Sequence, residues 1–309
     1  MYLNFNDAYE QYLIYIENRQ KIQSKKFLKE NFNRKILPFW KDYNIYDIKE
    51  LDYIKWQNEI ERFNYSNNYK CNLHYLMSGF FTYCVTYYGL QKNVAKVVGN
   101  FKMNYVKTKM DHYNINEFKL FIKNFDNEIY KQFFIFLYYT GVRPGEAMAL
   151  KFSDLNSKGI ISINKTISEH SIDGMRSIDT PKSMTSVRTV KLDKKLYKDL
   201  LKLKQTYIKE YNSEDYDYYI FGGMKPLAPT TINRYKKRAC EKAKIRPIQL
   251  REFRRSHATL LYNIKVPMQL IKERLGHSNI NTTMKYYVDV EKEKEKRLMK
   301  SLNLIRLLF

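Results

Sequence analysis

The stretch IQLREFRRSHATLL spans residues 248–261 and has the pattern of an amphipathic helix. Leu250, Phe253 and Leu260 recur at helical spacing and form an apolar stripe, which brings Arg254 close to buried surface. A partly buried guanidinium keeps its charge and therefore needs an anion. The segment predicts a helix that presents an arginine to a negatively charged group.

Two segments on either side of this helix place basic residues at helix ends. Residues 140–150 read TGVRPGEAMAL, in which Gly141 suits the left-handed end of one helix and Pro144 the start of the next, so that Arg143 lies at a helix junction. Residues 275–290 read LGHSNINTTMKYYVDV, and His277 follows a glycine that can end a helix. Taken singly, Arg143 could be an ion-pair partner of Glu146, and His277 a structural histidine.

The sequence between these helices has the alternation of a small sheet. Residues 159–167 and 186–192 alternate apolar and polar side chains and predict two strands. Residues 180–192 read TPKSMTSVRTVKL and place Lys182 beside the second strand. Elsewhere the pattern is helical, over 117–139 and from 194 to the end with one break at 221–229. We therefore expect a mainly α protein with a small β-sheet.

Length and charge limit the classes of function. The 309 residues suffice for two domains, and 44% hydrophobic residues with 10 glycines and 7 prolines are typical of a globular chain. The net charge of +23 predicts a polyanionic partner. The longest apolar run, Phe133–Tyr139, is far shorter than the roughly 20 residues of a membrane span. With no secretory signal pattern at the start, we expect an intracellular protein that does not bind membranes.

The three cysteines and the lysines give weaker signals. Cys71, Cys84 and Cys240 are odd in number and far apart, which favours buried, reduced thiols over disulfides or a zinc site. Lys25 and Lys26 lie in a helical N-terminal region whose basic faces could contact DNA or be merely solvated. Three lysines recur where helical periodicity fades and predict a linker that follows a phosphate backbone: Lys102, Lys107 and Lys109.

The order and spacing of the four quoted segments resemble the tyrosine recombinase (phage integrase) family over essentially the whole chain. The resemblance implies a Xer-like two-domain layout: a helical core-site DNA-binding (SAM-like) domain over 1–100, a linker over 101–116, and an α+β catalytic domain over 117–309. It implies a site-specific recombinase that works without metal, ATP or cofactor on double-stranded DNA with specific core sites. A homotetramer on two duplexes, an accessory DNA-bending or directionality factor, and a cytoplasmic, nucleoid-associated protein of a bacterium, phage or mobile element are also implied.

The resemblance assigns roles to individual residues. Arg143 and Arg254 correspond to the arginines that clamp the scissile phosphate, and His277 to a residue that hydrogen-bonds a phosphate oxygen. Lys182 corresponds to the general acid toward the leaving 5′ hydroxyl. The nucleophile that forms a 3′-phosphotyrosine is Tyr286 or Tyr287, and Tyr287 fits better because Tyr287-Val288-Asp289-Val290 matches the family's Tyr-x-His-Val ending except for Asp289.

Arg251 departs from the family pattern, which has His or sometimes Lys three residues before the second arginine. An arginine can donate to phosphate but cannot accept the tyrosine proton, because its pKa lies above about 12. Either the cationic cluster of Arg143, Arg251 and Arg254 lowers the pKa of the tyrosine, or His257 supplies the base, or activity is lost.

Three other functions share part of this pattern. A type IB topoisomerase uses the same residue types but acts alone. The apolar stripe of Leu298, Leu302 and Ile305 could pack on its own domain, whereas the resemblance to recombinases implies a C-terminal tail that docks on a neighbouring protomer. A non-catalytic DNA-binding regulator would explain the charge but not Lys182 or Tyr287. A metal-dependent nuclease is disfavoured because no carboxylate or histidine cluster has ligand spacing.

Overall fold

The structure, a computed structural model, describes residues 1–102, 111–167, 178–179, 187–277 and 279, and the chain divides into two compact units, Met1–Thr108 and Lys109–Phe309. The described elements are mostly helices with four short strands, which confirms the expected fold class. No helix in these ranges is long and apolar enough to cross a bilayer.

The helices of the first unit are α1 (Phe5–Ile16), α2 (Ile22–Asn31), α3 (Leu37–Trp40), α4 (Glu50–Glu61), α5 (Asn67–Tyr88) and α6 (Val94–Val98), with a π-helical turn at Phe32–Ile36. The second unit contains α7 (Ile115–Lys123), α8 (Glu128–Thr140), α9 (Pro144–Ala149), a 3-10 turn (Phe152–Asp154), β1 (Ile160–Ile163), β2 (Thr166–Ile167), β3 (Ile178–Asp179), β4 (Arg188–Lys191), α10 (Lys194–Tyr211), α11 (Pro229–Ala243), α12 (Glu252–Asn263) and α13 (Met268–Leu275).

The first unit is built around aromatic rings. Phe5 of α1 lies 4.6 Å from Phe80 and 5.8 Å from Trp40 between ring centroids, and all three side chains are fully buried. Such tilted and offset contacts add to the free energy gained by removing the rings from water. The three cysteines are buried and unbridged, as expected.

The two predicted strands pair in the second unit. β1 and β4 are antiparallel, with Ile161 opposite Val190, and both side chains are buried on the same face. A second two-stranded ladder joins β2 and β3, in which Thr166 pairs with Asp179. The alternation in the sequence therefore predicted the pairing and the inward face, although the strands are shorter than the predicted ranges.

The predicted helices are interrupted more often than expected. The stretch 117–139 is two helices, because the Asn127 side chain accepts hydrogen bonds from the amides of Ile129 and Tyr130 and starts α8 anew. The predicted single break at 221–229 begins earlier, after α10 ends at Tyr211, and further breaks separate α11, α12 and α13. At the start of α8, local capping by asparagine thus overrides the apolar periodicity.

The start of the second unit is anchored by Arg246, in the turn between α11 and α12. Its Nε donates to the Asp111 carboxylate at 2.7 Å, and its Nη1 pairs with Glu117. The Tyr113 hydroxyl donates to the Arg246 carbonyl at 2.6 Å, and the Tyr113 amide donates to Ser256 Oγ on α12 at 2.9 Å. We call these contacts the Arg246 clamp.

Both ends of the predicted linker pack into cores. Phe101 belongs to the aromatic core of the first unit and Tyr113 to that of the second. Residues 103–110 lie outside the described ranges. The linker over 101–116 stays a prediction.

Candidate active site

Arg143 occupies the predicted junction between two helices. α8 ends at Thr140 and is capped by Gly141, whose φ is 67°, and α9 begins with Pro144. The Arg143 amide and Nη1 donate to the two carboxylate oxygens of Glu146 at 3.0 and 2.7 Å. The ion pair considered from the sequence therefore exists, and yet 41% of the Arg143 side chain remains exposed. The guanidinium is thus oriented by Glu146 and can still reach an external anion.

Arg254 is the buried arginine that the stripe on α12 predicted, with 5% exposure. Its Nη1 donates to the Gly141 carbonyl at 3.0 Å and its Nη2 to the Leu275 carbonyl at 2.5 Å. Both acceptors lie at the carboxyl ends of helices, where the helix dipole favours a cation. The Arg254 side chain therefore joins the ends of α8 and α13 and places its positive charge at these two helix ends.

His277 follows the left-handed Gly276 that ends α13, and it is 9% exposed. Burial lowers the pKa of its imidazole to about 3, and the positive charges of Arg254, Arg143 and Arg188 lower it in addition. Arg254 also donates to the Leu275 carbonyl, two residues before His277, which places its guanidinium next to this segment. At neutral pH the ring is uncharged and can donate one hydrogen bond.

His257 cannot serve as the base that the sequence left open. It is 1% exposed, its Nδ1 lies 2.9 Å from the Tyr138 carbonyl, and its Nε2 accepts from Arg274 Nε at 3.1 Å. Both ring nitrogens are therefore occupied. Burial and the charge of Arg274 lower the pKa of the ring to about 3, which further opposes proton uptake.

Arg188 is a site residue that the sequence analysis missed. Its side chain extends from β4, where Nη2 donates to Glu146 Oε2 at 2.9 Å and Nε to the Arg274 carbonyl at 3.0 Å. A signal was available, because strand alternation places residue 188 on the same inward face as Val190. Arg274 was missed too, and it links α13 to the Tyr139 and Lys191 carbonyls at 3.2 and 3.3 Å.

The other predicted site residues have varied placements. Arg251 is exposed at the start of α12. Four predicted residues lie outside the described ranges, together with the alternative nucleophile Tyr286 and the C-terminal tail: Lys107, Lys109, Lys182 and Tyr287. Among the DNA-binding candidates of the first unit, Lys26 and Lys102 are exposed, but Lys25 Nζ is paired with Glu17 at 2.6 Å.

Sequence relatives are integrases and a recombinase. The chain is 28% identical to the ICEBs1 integrase of Bacillus subtilis (strain 168) over 288 residues, which cover 91% of this chain and 77% of that protein. It is 24% identical to a XerC-like tyrosine recombinase of Caldanaerobacter subterraneus over 279 residues, or 83% of this chain and 71% of the other. These relatives favour recombination over the topoisomerase and regulator alternatives.

Solved structures share the fold. A Tn1549 transposon integrase in complex with circular intermediate DNA superposes with a TM-score of 0.74 at 16% identity, covering 96% of this chain and 99% of that one. A lambda integrase tetramer bound to a Holliday junction gives a TM-score of 0.64 at 16% identity, covering 90% and 78%. The profile described as "Phage integrase family" matches residues 108–294, more than half of the 309. The chain therefore belongs to the phage integrase family of site-specific DNA recombinases.

Proposed function

We propose that this recombinase cleaves and rejoins double-stranded DNA through a covalent 3′-phosphotyrosyl intermediate, with Tyr287 as the nucleophile. Arg143 and Arg254 would bind the scissile phosphate, His277 would donate to one of its oxygens, and Lys182 would protonate the leaving 5′ hydroxyl. The observation that carries the proposal is a connected set of arginines next to the buried His277. Arg143 and Arg188 share the Glu146 carboxylate. Arg188 and Arg254 donate to the consecutive carbonyls of Arg274 and Leu275, which shortly precede His277.

The charge of this cluster suits a phosphodiester. Arg143, Arg188 and Arg254 contribute three positive charges, and Glu146 offsets one of them. The transition state of phosphoryl transfer concentrates negative charge on the non-bridging oxygens, which fixed cations stabilise most when they are already oriented. The 41% exposure of Arg143 beside the buried Arg254 supports a site that opens toward bound DNA.

Activation of the tyrosine would be electrostatic. Arg251 cannot accept a proton, and both ring nitrogens of His257 are hydrogen-bonded. Nearby positive charge lowers the pKa of a phenol by favouring the phenolate. We therefore propose that the cations around the phosphate, including Arg251, replace a general base. The proton would leave to solvent.

The first unit would bind the core site, and the active sites would work in a tetramer. Exposed Lys26 and Lys102 are candidates for phosphate contacts, whereas the ion pair of Lys25 with Glu17 weakens its assignment. The fold is shared with the lambda integrase tetramer bound to a Holliday junction, which supports four protomers on two duplexes. An accessory DNA-bending or directionality factor stays a prediction.

The nucleophile can be tested without knowing the target. Wild-type protein would be incubated with fragmented host genomic DNA, denatured in detergent, and the covalently attached DNA sequenced. We expect Tyr287→Phe to abolish the adduct while DNA binding stays near wild type, because only the hydroxyl is removed. Tyr286→Phe is the matched control and should keep the adduct.

Two results would contradict this proposal. Loss of the adduct in Tyr286→Phe with its retention in Tyr287→Phe would move the nucleophile by one residue. Wild-type protein that binds the fragments but never becomes attached to them would refute the covalent mechanism itself.

A further inference from the structure

Arg188 is unusual among the strand residues because its charged side chain points inward. The side chain is 7% exposed, on the same face of β4 as the buried Val190. A charge in this position has a large desolvation cost unless partners satisfy it. Its partners include the Glu146 carboxylate and the Arg274 carbonyl, which lie on α9 and α13. One side chain thus connects the strand to two helix ends at the candidate active site.

The Glu146 carboxylate is shared between two arginines. Its side chain is 3% exposed, Oε1 accepts from Arg143 Nη1 at 2.7 Å, and Oε2 accepts from the Arg143 amide and from Arg188 Nη2. Burial raises the pKa of this carboxyl, but the hydrogen bond and charge of Arg188, followed by the charge of Arg143, outweigh burial and hold the pKa below its ordinary value. Arg188 therefore keeps Glu146 ionised and in place.

This sharing affects the charge that Arg143 can offer to a phosphate. With Arg188 present, two guanidiniums face one carboxylate and the group carries a net positive charge. Without Arg188, Arg143 and Glu146 would form a neutral pair. Arg188 thus preserves the positive potential around Arg143.

Arg188 also fixes the end of α13. Its Nε donates to the Arg274 carbonyl at 3.0 Å, and Arg254 Nη2 donates to the next carbonyl, that of Leu275. The Arg274 side chain reaches back to the Lys191 carbonyl at 3.3 Å, so β4 and α13 are tied in both directions. Two consecutive carbonyls anchored in this way set the direction in which the chain proceeds to His277.

We propose that Arg188 is a positioning residue for DNA strand cleavage, which orients Arg143 through Glu146 and His277 through the Arg274 carbonyl. This inference rests on the proposed function of Arg143 and His277. Arg188 need not touch the phosphate, because it acts on the two groups that do. A misplacement of about 1 Å in such groups can cost about 100-fold in rate.

The test compares Arg188→Met, Arg188→Lys and wild type on a duplex that carries the sequence attached to wild-type protein in the genomic experiment. We expect Arg188→Met to lower the single-turnover rate of adduct formation by about 100-fold while DNA affinity stays near wild type. Arg188→Lys keeps the charge but not the planar guanidinium, so its rate should lie between those of Arg188→Met and wild type. Arg246→Met, which also removes an ion-paired arginine of this unit, is the matched control and should retain the wild-type rate.

The pH profile separates positioning from a loss of stability. Without Arg188 the pKa of Glu146 rises, so the acid limb of the cleavage rate should move to higher pH in Arg188→Met, move less in Arg188→Lys, and stay unchanged in Arg246→Met. If Arg188→Met does not fold, the rate and acid limb of Arg188→Lys decide the question.

Several outcomes would overturn the inference: wild-type rates in the folded Arg188 variants, a loss confined to DNA affinity, or a lower rate with an unmoved acid limb. Failure of the proposed function looks different, because the wild-type protein itself would then form no adduct.

Discussion

Replacing Gly141 by alanine should damage the fold at the point where the active site is assembled. A Cβ at this position would lie 2.6 Å from His257 Cδ2 and 2.7 Å from Leu275 Cδ2, and the backbone has φ of +67°. The left-handed conformation costs an alanine about 1–2 kcal/mol, and the overlap with two packed side chains about 1–3 kcal/mol more. We therefore expect the free energy of unfolding of the second unit to fall by about 2–5 kcal/mol.

Gly159→Ala provides a control in the same unit. Gly159 also has positive φ, +71°, but an added Cβ would meet only ordinary contacts at 3.6 Å, to Tyr197. Because both substitutions change the unfolded chain alike, the difference between them isolates the overlap, about 1–3 kcal/mol. Adduct formation should fall in Gly141→Ala alone, since the Gly141 carbonyl accepts from Arg254.

Urea unfolding, monitored by circular dichroism and by hydrogen exchange of second-unit amides, measures the fall in the free energy of unfolding of the second unit. The only two tryptophans, Trp40 and Trp56, are buried in the first unit, so their fluorescence reports that unit separately and should keep its wild-type midpoint. Equal losses of unfolding free energy in Gly141→Ala and Gly159→Ala would refute the reasoning, because the overlap at Gly141 would then have no cost.

Three further predictions concern pH, ions and assembly. His257 and His277 have pKa values lowered to about 3 from about 6.5, so the unfolded chain binds more protons between these values, and the second unit should lose stability as pH falls from about 6.5 toward 3. Denaturation at stepped pH measures this, and a stability that rises on acidification would contradict it. Adduct formation should persist in EDTA, and DNA affinity should fall by about 10³–10⁵ between 50 and 200 mM salt if 6–10 phosphates are contacted; complete dependence on added magnesium would exclude the mechanism. Deleting residues 298–309 should preserve site binding but abolish strand exchange and reduce the four protomers seen by native mass spectrometry, whereas a truncated protein that recombines normally would refute a role of the tail in assembly.

The sequence predicted the elements whose signals are local. Gly141 and Gly276 end helices in the left-handed conformation, Pro144 starts one, and the stripe on α12 buries Arg254. Each of these follows from a backbone preference or a side-chain spacing within a single segment. The fold class and the junction position of Arg143 were therefore predictable without a structure.

The partners of these residues could not be predicted, because they come from distant segments. Arg188 and Glu146 are 42 positions apart and meet only when the unit has folded. His257 lies in the segment that identified the site, but its neutral, fully bonded state depends on Arg274 and on the Tyr138 carbonyl. Spacing along one helix indicates which side chains face inward, but it does not indicate what they meet.

The Arg246 clamp determines how a mechanical load would enter the second unit. The chain that follows the linker is held at Asp111 and at the His112 carbonyl by Arg246, and Tyr113 is bonded to Ser256 on α12. A force on the chain ahead of Asp111 is therefore borne by charged hydrogen bonds before it reaches the aromatic core. Such a load therefore breaks polar contacts at the start of the unit first, while the aromatic core that contains Tyr113 stays packed.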